Sequence, residues 1–293
     1  MKLLLLGCGA LALGFAAADV PQDDLSAVQI RTTLVAGSVR MLEGAGGNIG
    51  VSSGPDGTLM IDDQFAPLAD KIRKALAEIG GGPLRFLINT HWHGDHTGGN
   101  AAFGKQAAIL AHENVRVRLA APQQRRGQEV PAAPKEALPV ITYADGVTLH
   151  FNGEDVRVRF LPGHTDGDSV ILFTGSKVAH LGDLFFSGRF PFVDRNSGGD
   201  VQALTRSIDT LLQTIPPDYK LIPGHGPVST LDDLRSYHRM LTETTELVRQ
   251  RIRDGMSREQ VTAAGVPEPW SAWSWQFIDT PAWLGTVYDC LDK

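Results

Sequence analysis

His91-Trp92-His93-Gly94-Asp95-His96 places three histidines and an aspartate within six residues, directly after Leu84 to Asn89, an apolar run that reads as a buried strand. An extended backbone sends residues two apart to the same side, so His91 and His93 can present imidazoles to one ion. Asp95 and His96 then turn toward a neighbouring position, and two adjacent metals are suggested. A merely solvated polar turn would not account for so dense a set of ligand-type side chains.

Three later residues share the setting of this loop. His164 stands in Leu161-Pro162-Gly163-His164-Thr165, Asp183 in Leu181-Gly182-Asp183-Leu184, and His225 in Ile222-Pro223-Gly224-His225-Gly226, each following or ending a strand-like run. Imidazole and carboxylate suit zinc, and also iron or manganese, whereas a structural zinc site would favour cysteine. Three histidines at one ion and two histidines with an aspartate at the other, bridged by a second carboxylate, is a reasonable partition.

Working outward, Ile30 to Val35, Val39 to Leu42, Asn48 to Ser52 and Thr58 to Ile61 alternate in strand fashion, the last two joined by the turn Gly54-Pro55-Asp56-Gly57. Pro67 to Gly80 has helical spacing through Leu68, Ile72, Leu76 and Ile79. After the histidine loop come a strand at Ala107 to Ala111, a short helix at Glu113 to Leu119, and a proline-bearing surface loop from Pro122 to Pro139. Val147 to Leu161 alternates again about Asn152-Gly153, and strands at Val170 to Phe173 and Val178 to Leu181 precede helices at Asp200 to Gln213 and Leu231 to Arg253. The expected fold is α/β, an αββα sandwich of two mixed β-sheets packed face to face and flanked by helices. The site would lie on the loops at one sandwich edge.

The 293 residues, 42% hydrophobic and 20% charged, suffice for a substantial core. Lys2, the apolar stretch Leu3 to Phe15 and Ala16-Ala17-Ala18 have the layout of a signal peptide over 1–18, leaving 19–293 as a single catalytic domain in a periplasmic or secreted protein. The apolar stretch is short for a stable membrane span. Leu5-Leu6-Gly7-Cys8 offers lipoprotein anchoring at Cys8 as a minor alternative. Loss of Lys2 with the leader moves the formal charge from −6 to −7 and leaves Cys290 as the one cysteine, which excludes an internal disulfide. Acidic balance without basic clusters argues against nucleic acid and for a small-molecule substrate.

The spacing H-x-H-x-D-H with later His, Asp and His resembles the metallo-β-lactamase-fold hydrolase superfamily across essentially the mature chain. The resemblance implies that His91, His93 and His164 hold one metal, that Asp95, His96 and His225 hold a second, and that Asp183 bridges them. It implies two zinc ions per chain, with iron or manganese possible. Asp95 would then be catalytic, ligating and orienting a hydroxide formed from metal-activated water, whose pKa falls to about 7 on zinc. Asp62, in Leu59-Met60-Ile61-Asp62, matches a family aspartate that supports the metal loop, although Gln64 stands where glycine is usual. Expected substrate contacts are Trp92, Phe186 and Arg189, with Phe185, Phe190 and Phe192 also near, and Trp270, Trp273 and Trp275 either capping the site or packing a terminal segment. The implied activity is hydrolysis of a carbonyl ester, thioester, lactone or lactam. True β-lactamases of this fold usually carry cysteine or serine at the position of Asp183, so the aspartate points toward thioesters, lactones and other esters; a true or promiscuous β-lactamase is one alternative. A mononuclear iron persulfide dioxygenase-like oxidoreductase is the other.

Overall fold

The computed structural model describes residues 25–125 and 128–292, so the expected signal peptide over 1–18 and Cys8 lie outside the described residues. Chain order begins with β1 (Arg31–Ala36), β2 (Val39–Glu43), β3 (Ile49–Gly54), β4 (Gly57–Ile61), α1 (Ala69–Ile79) and β5 (Leu84–Ile88). The histidine loop carries the single turns α2 (Gly94–Thr97) and α3 (Asn100–Phe103), followed by β6 (Ala108–His112), α4 (Glu113–Leu119), a small ribbon of β7 (Gln123–Arg125) and β8 (Gln128–Val130), and β9 (Ile141–Tyr143). The second half comprises β10 (Gly146–Phe151), β11 (Glu154–Phe160), β12 (Ser169–Phe173), β13 (Val178–Phe186), α5 (Val201–Thr214), β14 (Lys220–His225), α6 (Leu231–Arg253), α7 (Arg258–Ala263) and α8 (Thr280–Leu291).

Strands β1-β2-β3-β4-β5-β6-β9 form one sheet and β10-β11-β12-β13-β14 the other. Both are mixed: β1 to β4 pair antiparallel and β4-β5-β6-β9 parallel, while β10 to β13 are antiparallel and β13–β14 parallel. Period-two alternation assigns each face. Leu59 and Ile61 join Phe151, Val156, Ile171 and Phe173 between the sheets, while Met60 packs outward on Leu68 and Ile72 of the α1 layer. Ala179 and Leu181 point the other way, into Leu204, Ile208, Leu234 and Leu241 of α5 and α6. Four layers follow, as the sequence pattern leads one to expect.

The two hairpin turns also clasp one another across the sandwich. Asn152 and Gly153 both take positive φ, the geometry that an Asn-Gly turn supplies. The Asn152 amide N–H donates to Asp56 Oδ2 at 2.7 Å, and Asp56 N–H donates to Asn152 Oδ1 at 3.1 Å. The Pro122 to Pro139 segment departs from a simple loop: local antiparallel pairing makes the β7–β8 ribbon, and Lys135–Ala137 forms a 3-10 turn. Among the described residues, no helix is long and apolar enough to cross a membrane.

Candidate metal centre

Parallel strands β4 and β5 end side by side, and this brings Asp62 beneath the histidine loop. The Asp62 carboxylate accepts the Thr90 amide at 2.8 Å and the Thr90 hydroxyl at 2.7 Å, fixing the chain where it leaves β5. His91 follows directly, His93 lies on extended backbone, and the turn α2 redirects Asp95 and His96. His164 occupies the β11–β12 connection, where buried Asp168 accepts the His164 and Thr165 amides, each at 2.8 Å. Burial pushes the Asp168 carboxyl up to about 8 against those three donors, counting the Thr165 hydroxyl.

Asp183 sits inside β13 at an irregularity in its pairing with β14. Gly182, at φ +51°, makes the bend, and a Cβ there would collide with Thr90. His225 ends β14, after Gly224, whose missing Cβ leaves the space that Asp183 Oδ1 fills. Asn48 holds this strand end by donating to the Pro223 and Gly226 carbonyls at 2.9 and 2.8 Å. Four separate crossings of one edge thus converge.

Two groups result. His91, His93, His164 and Asp183 offer atoms that lie within 4.8 Å of one another, and so do Asp95, His96 and His225. Asp183 spans them: Oδ1 is 3.1 Å from His96 Nε2 and 3.5 Å from His225 Nε2, while Oδ2 is 3.5 Å from His164 Nε2 and 3.8 Å from His91 Nε2. Asp95 Oδ2 stands 3.3 Å from His225 Nε2 and 3.5 Å from His96 Nε2. The structure therefore brings together all seven residues singled out in sequence.

The outer hydrogen bonds decide what the inner atoms are. His164 Nδ1 donates to the Phe192 carbonyl at 2.7 Å, and His93 Nε2 and His96 Nδ1 face the carboxylates of Asp194 and Asp62 at 3.0 and 2.7 Å. Because the Thr90 hydroxyl donates to Asp62, it is left to accept from His91 Nδ1, 3.0 Å away. In His91, His93 and His164, and in His96 when it is neutral, the proton belongs on the outer nitrogen and a lone pair faces inward. His91 Nε2 and His164 Nε2 then lie 3.0 and 2.8 Å from His93 Nδ1 as acceptor against acceptor. Buried His96 Nε2 and Asp183 Oδ1 likewise find no hydrogen-bond donor among the described residues. Lone pairs that converge in a buried space are repulsive unless a cation lies between them. The donor set fits metal ions.

Protonation points the same way. Burial drives His91 well below the ordinary histidine value and His164 down to about 4, so both imidazoles are neutral near pH 7. Burial opposes charge on His96 and His225 too, but the facing carboxylates win, holding His96 well above its usual value and raising His225 to about 9. Burial would also raise Asp183, yet His96 and His225 hold it well below the carboxylate range. The carboxylates that favour positive charge on His96 and His225 would equally favour a second cation between them.

Asp62 and Gln64 both adopt left-handed backbone, φ +60° and +57°, which explains why glycine suits the second position. Gln64 offsets that strain by donating from Nε2 to the Gly47 carbonyl at 2.7 Å, so the substitution leaves Asp62 in contact with His96. His180 faces away from the centre, its Nε2 meeting the Asn48 carbonyl at 3.1 Å.

Two of the three expected substrate contacts, Trp92 and Phe186, are buried. Trp92 is buried with Ala111 and Val115 behind His93, because the histidine loop packs that side chain into α4 and β6. Phe186 is buried and stacks on His225, ring centres 5.1 Å apart, so it backs a metal-ligand-type ring instead of lining open space. Phe185 and Phe190 are core, whereas half-exposed Arg189 lies over the Trp275 ring at 5.2 Å.

Asp194 was not singled out in sequence, since nothing in Phe192-Val193-Asp194 signals contact with a histidine 101 positions earlier. Its main-chain N–H donates to the His164 carbonyl at 2.9 Å, so one residue holds the His93 ring and the His164 main chain. Replacing Asp194 by Ala should weaken binding at the His91/His93/His164 group by roughly 10- to 100-fold, as for other carboxylates behind a ligating histidine. Competition with a chromophoric chelator measures this; unchanged affinity would remove Asp194 from that role.

A fold of two mixed sheets between helices, with this histidine and aspartate edge, defines a metallo-hydrolase class. A family model for the metallo-beta-lactamase superfamily matches residues 43–226, and the chain belongs to that superfamily. A hydroxyacylglutathione hydrolase of Synechococcus sp. (strain JA-2-3B'a(2-13)) is 32% identical over 168 residues, 57% of this chain and 58% of that protein. One from Gloeobacter violaceus is 30% identical over 185 residues, covering 63% of this chain and 65% of its own. The chain thus spans less than two thirds of the length of these relatives. Among solved structures, a metallo-beta-lactamase from Pontibacter korlensis superposes with a TM-score of 0.59 at 20% identity, covering 73% of this chain and 99% of that one. The sec-alkylsulfatase Pisa1 from Pseudomonas sp. gives 0.63 at 16% identity, over 89% and 50%. These superpositions speak for the fold.

Proposed function

We propose that this protein is a dinuclear zinc-dependent hydrolase of carbonyl esters, thioesters or lactones. The observation that carries the reading is the inward lone pairs of two ligand groups, with one oxygen of Asp183 turned to each. His91, His93 and His164 would hold one ion, Asp95, His96 and His225 the other, with Asp183 shared. When bound, the two cations supply Lewis acidity that makes water nucleophilic near neutral pH and polarises a carbonyl.

The chain's own residues do the rest. Asp95 reaches the centre and keeps part of its carboxylate exposed, so it can orient the attacking water and receive its proton. Asp62 and Asp194 lock His96 and His93 in the binding tautomer. Hydrolysis cleaves the acyl bond, water supplying hydroxyl to the acid and a proton to the leaving group. Asp183, in place of cysteine or serine, favours esters and thioesters over lactams.

A hydrolysis panel of thioesters, lactones, carboxylic esters, phosphodiesters and β-lactams, run on zinc-loaded protein, tests this proposal. Turnover of carbonyl esters or thioesters is expected. Activity confined to phosphodiesters, or turnover that appears only with iron and oxygen, would contradict it. The leader over 1–18 supports a cell-envelope location, to be checked by the N-terminal sequence of the exported chain, expected to begin at Asp19.

A further inference from the structure

Beyond the ligands, one side of the centre is walled by three aromatic rings, two of them from outside the family-matched span. Phe192 lies 5.8 Å from both His93 and His164, ring centre to ring centre. Phe277 lies 5.6 Å from Phe192 and 5.6 Å from Trp275, and Trp275 lies 6.4 Å from His225. Phe192, Phe277 and Trp275 therefore make a continuous arc from one ligand group to the other. Two of these three rings belong to a segment beyond residue 226, where the family match ends.

The arc is preorganised. Trp275 Nε1 donates to the Phe190 carbonyl at 2.9 Å, and the Phe190 amide donates to the Trp273 carbonyl at 3.0 Å. Phe190 in turn stacks on buried Trp283 of α8, ring centres 5.7 Å apart. Yet Phe277, packed on Phe192 and Trp275, is 47% exposed, high for a large apolar ring. A surface that is rigid, apolar, open and adjacent to the reacting position is suited to receive the apolar part of a substrate.

We propose that Phe192, Trp275 and Phe277 form an acyl subsite, and that the substrate class is esters or thioesters whose scissile carbonyl bears an apolar chain or aryl group. The substrate class rests on the hydrolase reading; the subsite itself does not. Arg189, which makes no ion pair among the described residues, rests on the face of Trp275 and keeps that ring in place.

The test compares acetyl with hexanoyl and phenylacetyl esters of one leaving group, and acetate with hexanoate and phenylacetate as binding probes. The wild-type protein should prefer the longer or aryl acyl group at least tenfold, both in kcat/KM and in the calorimetric affinity of the carboxylate. Phe277→Ala should collapse both ratios to about twofold or less, and Phe277→Leu should retain most of them. Equal ratios in wild type and Phe277→Ala would overturn the subsite. Hydrolysis without acyl preference would leave the hydrolase and remove the subsite. Selective binding of phenylacetate, lost in Phe277→Ala, without ester turnover, would keep the subsite and remove the hydrolase.

Discussion

Asp183→Ala should lower turnover by on the order of 1,000-fold or more and reduce metal binding at both groups together. The reason is geometric. Its two oxygens face different sets of imidazoles, Oδ1 toward His96 and His225, Oδ2 toward His164 and His91. Removing the carboxylate takes a donor from each and the one negative charge common to both. A variant lacking an outer aspartate such as Asp194 should lose affinity at one group alone, and that contrast is the signature of a shared ligand. Metal titration followed by calorimetry reads it; an Asp183→Ala protein that binds its first equivalent with wild-type affinity would show that Asp183 does not join the groups.

Asp95→Asn should reduce kcat by roughly 100- to 10,000-fold, the range for loss of a positioned proton acceptor. The amide keeps the volume of the carboxylate and one oxygen toward His225, but it cannot take a proton. The group at His91, His93 and His164 contains no atom of Asp95, so its metal content should persist. Near-normal kcat in Asp95→Asn with metal content intact would remove Asp95 from catalysis.

Much of this was legible in sequence because its causes are local. Helix α6 runs from Leu231 to Arg253 as its spacing predicts, opened by a capping box in which Thr230 and Asp233 satisfy each other's backbone. The Asn152-Gly153 turn follows from two residues that tolerate positive φ. Each ligand of the centre stood at a strand end flanked by glycine, proline or another ligand. By contrast, β13 extends to Phe186, past the expected end at Leu181, because Gly182 makes a bend within the strand and does not stop it. Strand β9 is short, and β14 contains Pro223 and Gly224, so its pairing depends on β13 lying beside it. Asp194 and the ring arc of Phe192, Trp275 and Phe277 are long-range juxtapositions. No pattern along the chain reports that α8 anchors a strap against the metal centre. Trp92 shows the converse, since adjacency to two histidines in sequence did not place its ring on their open side.

The central claim is that two ions, not one, occupy this edge of the sandwich. Mass-spectrometric metal analysis of the purified chain, with His225→Ala prepared alongside, tests it most directly. Two zinc equivalents per wild-type chain and about one in His225→Ala are expected. A single iron per chain, unchanged by loss of His225, would contradict it.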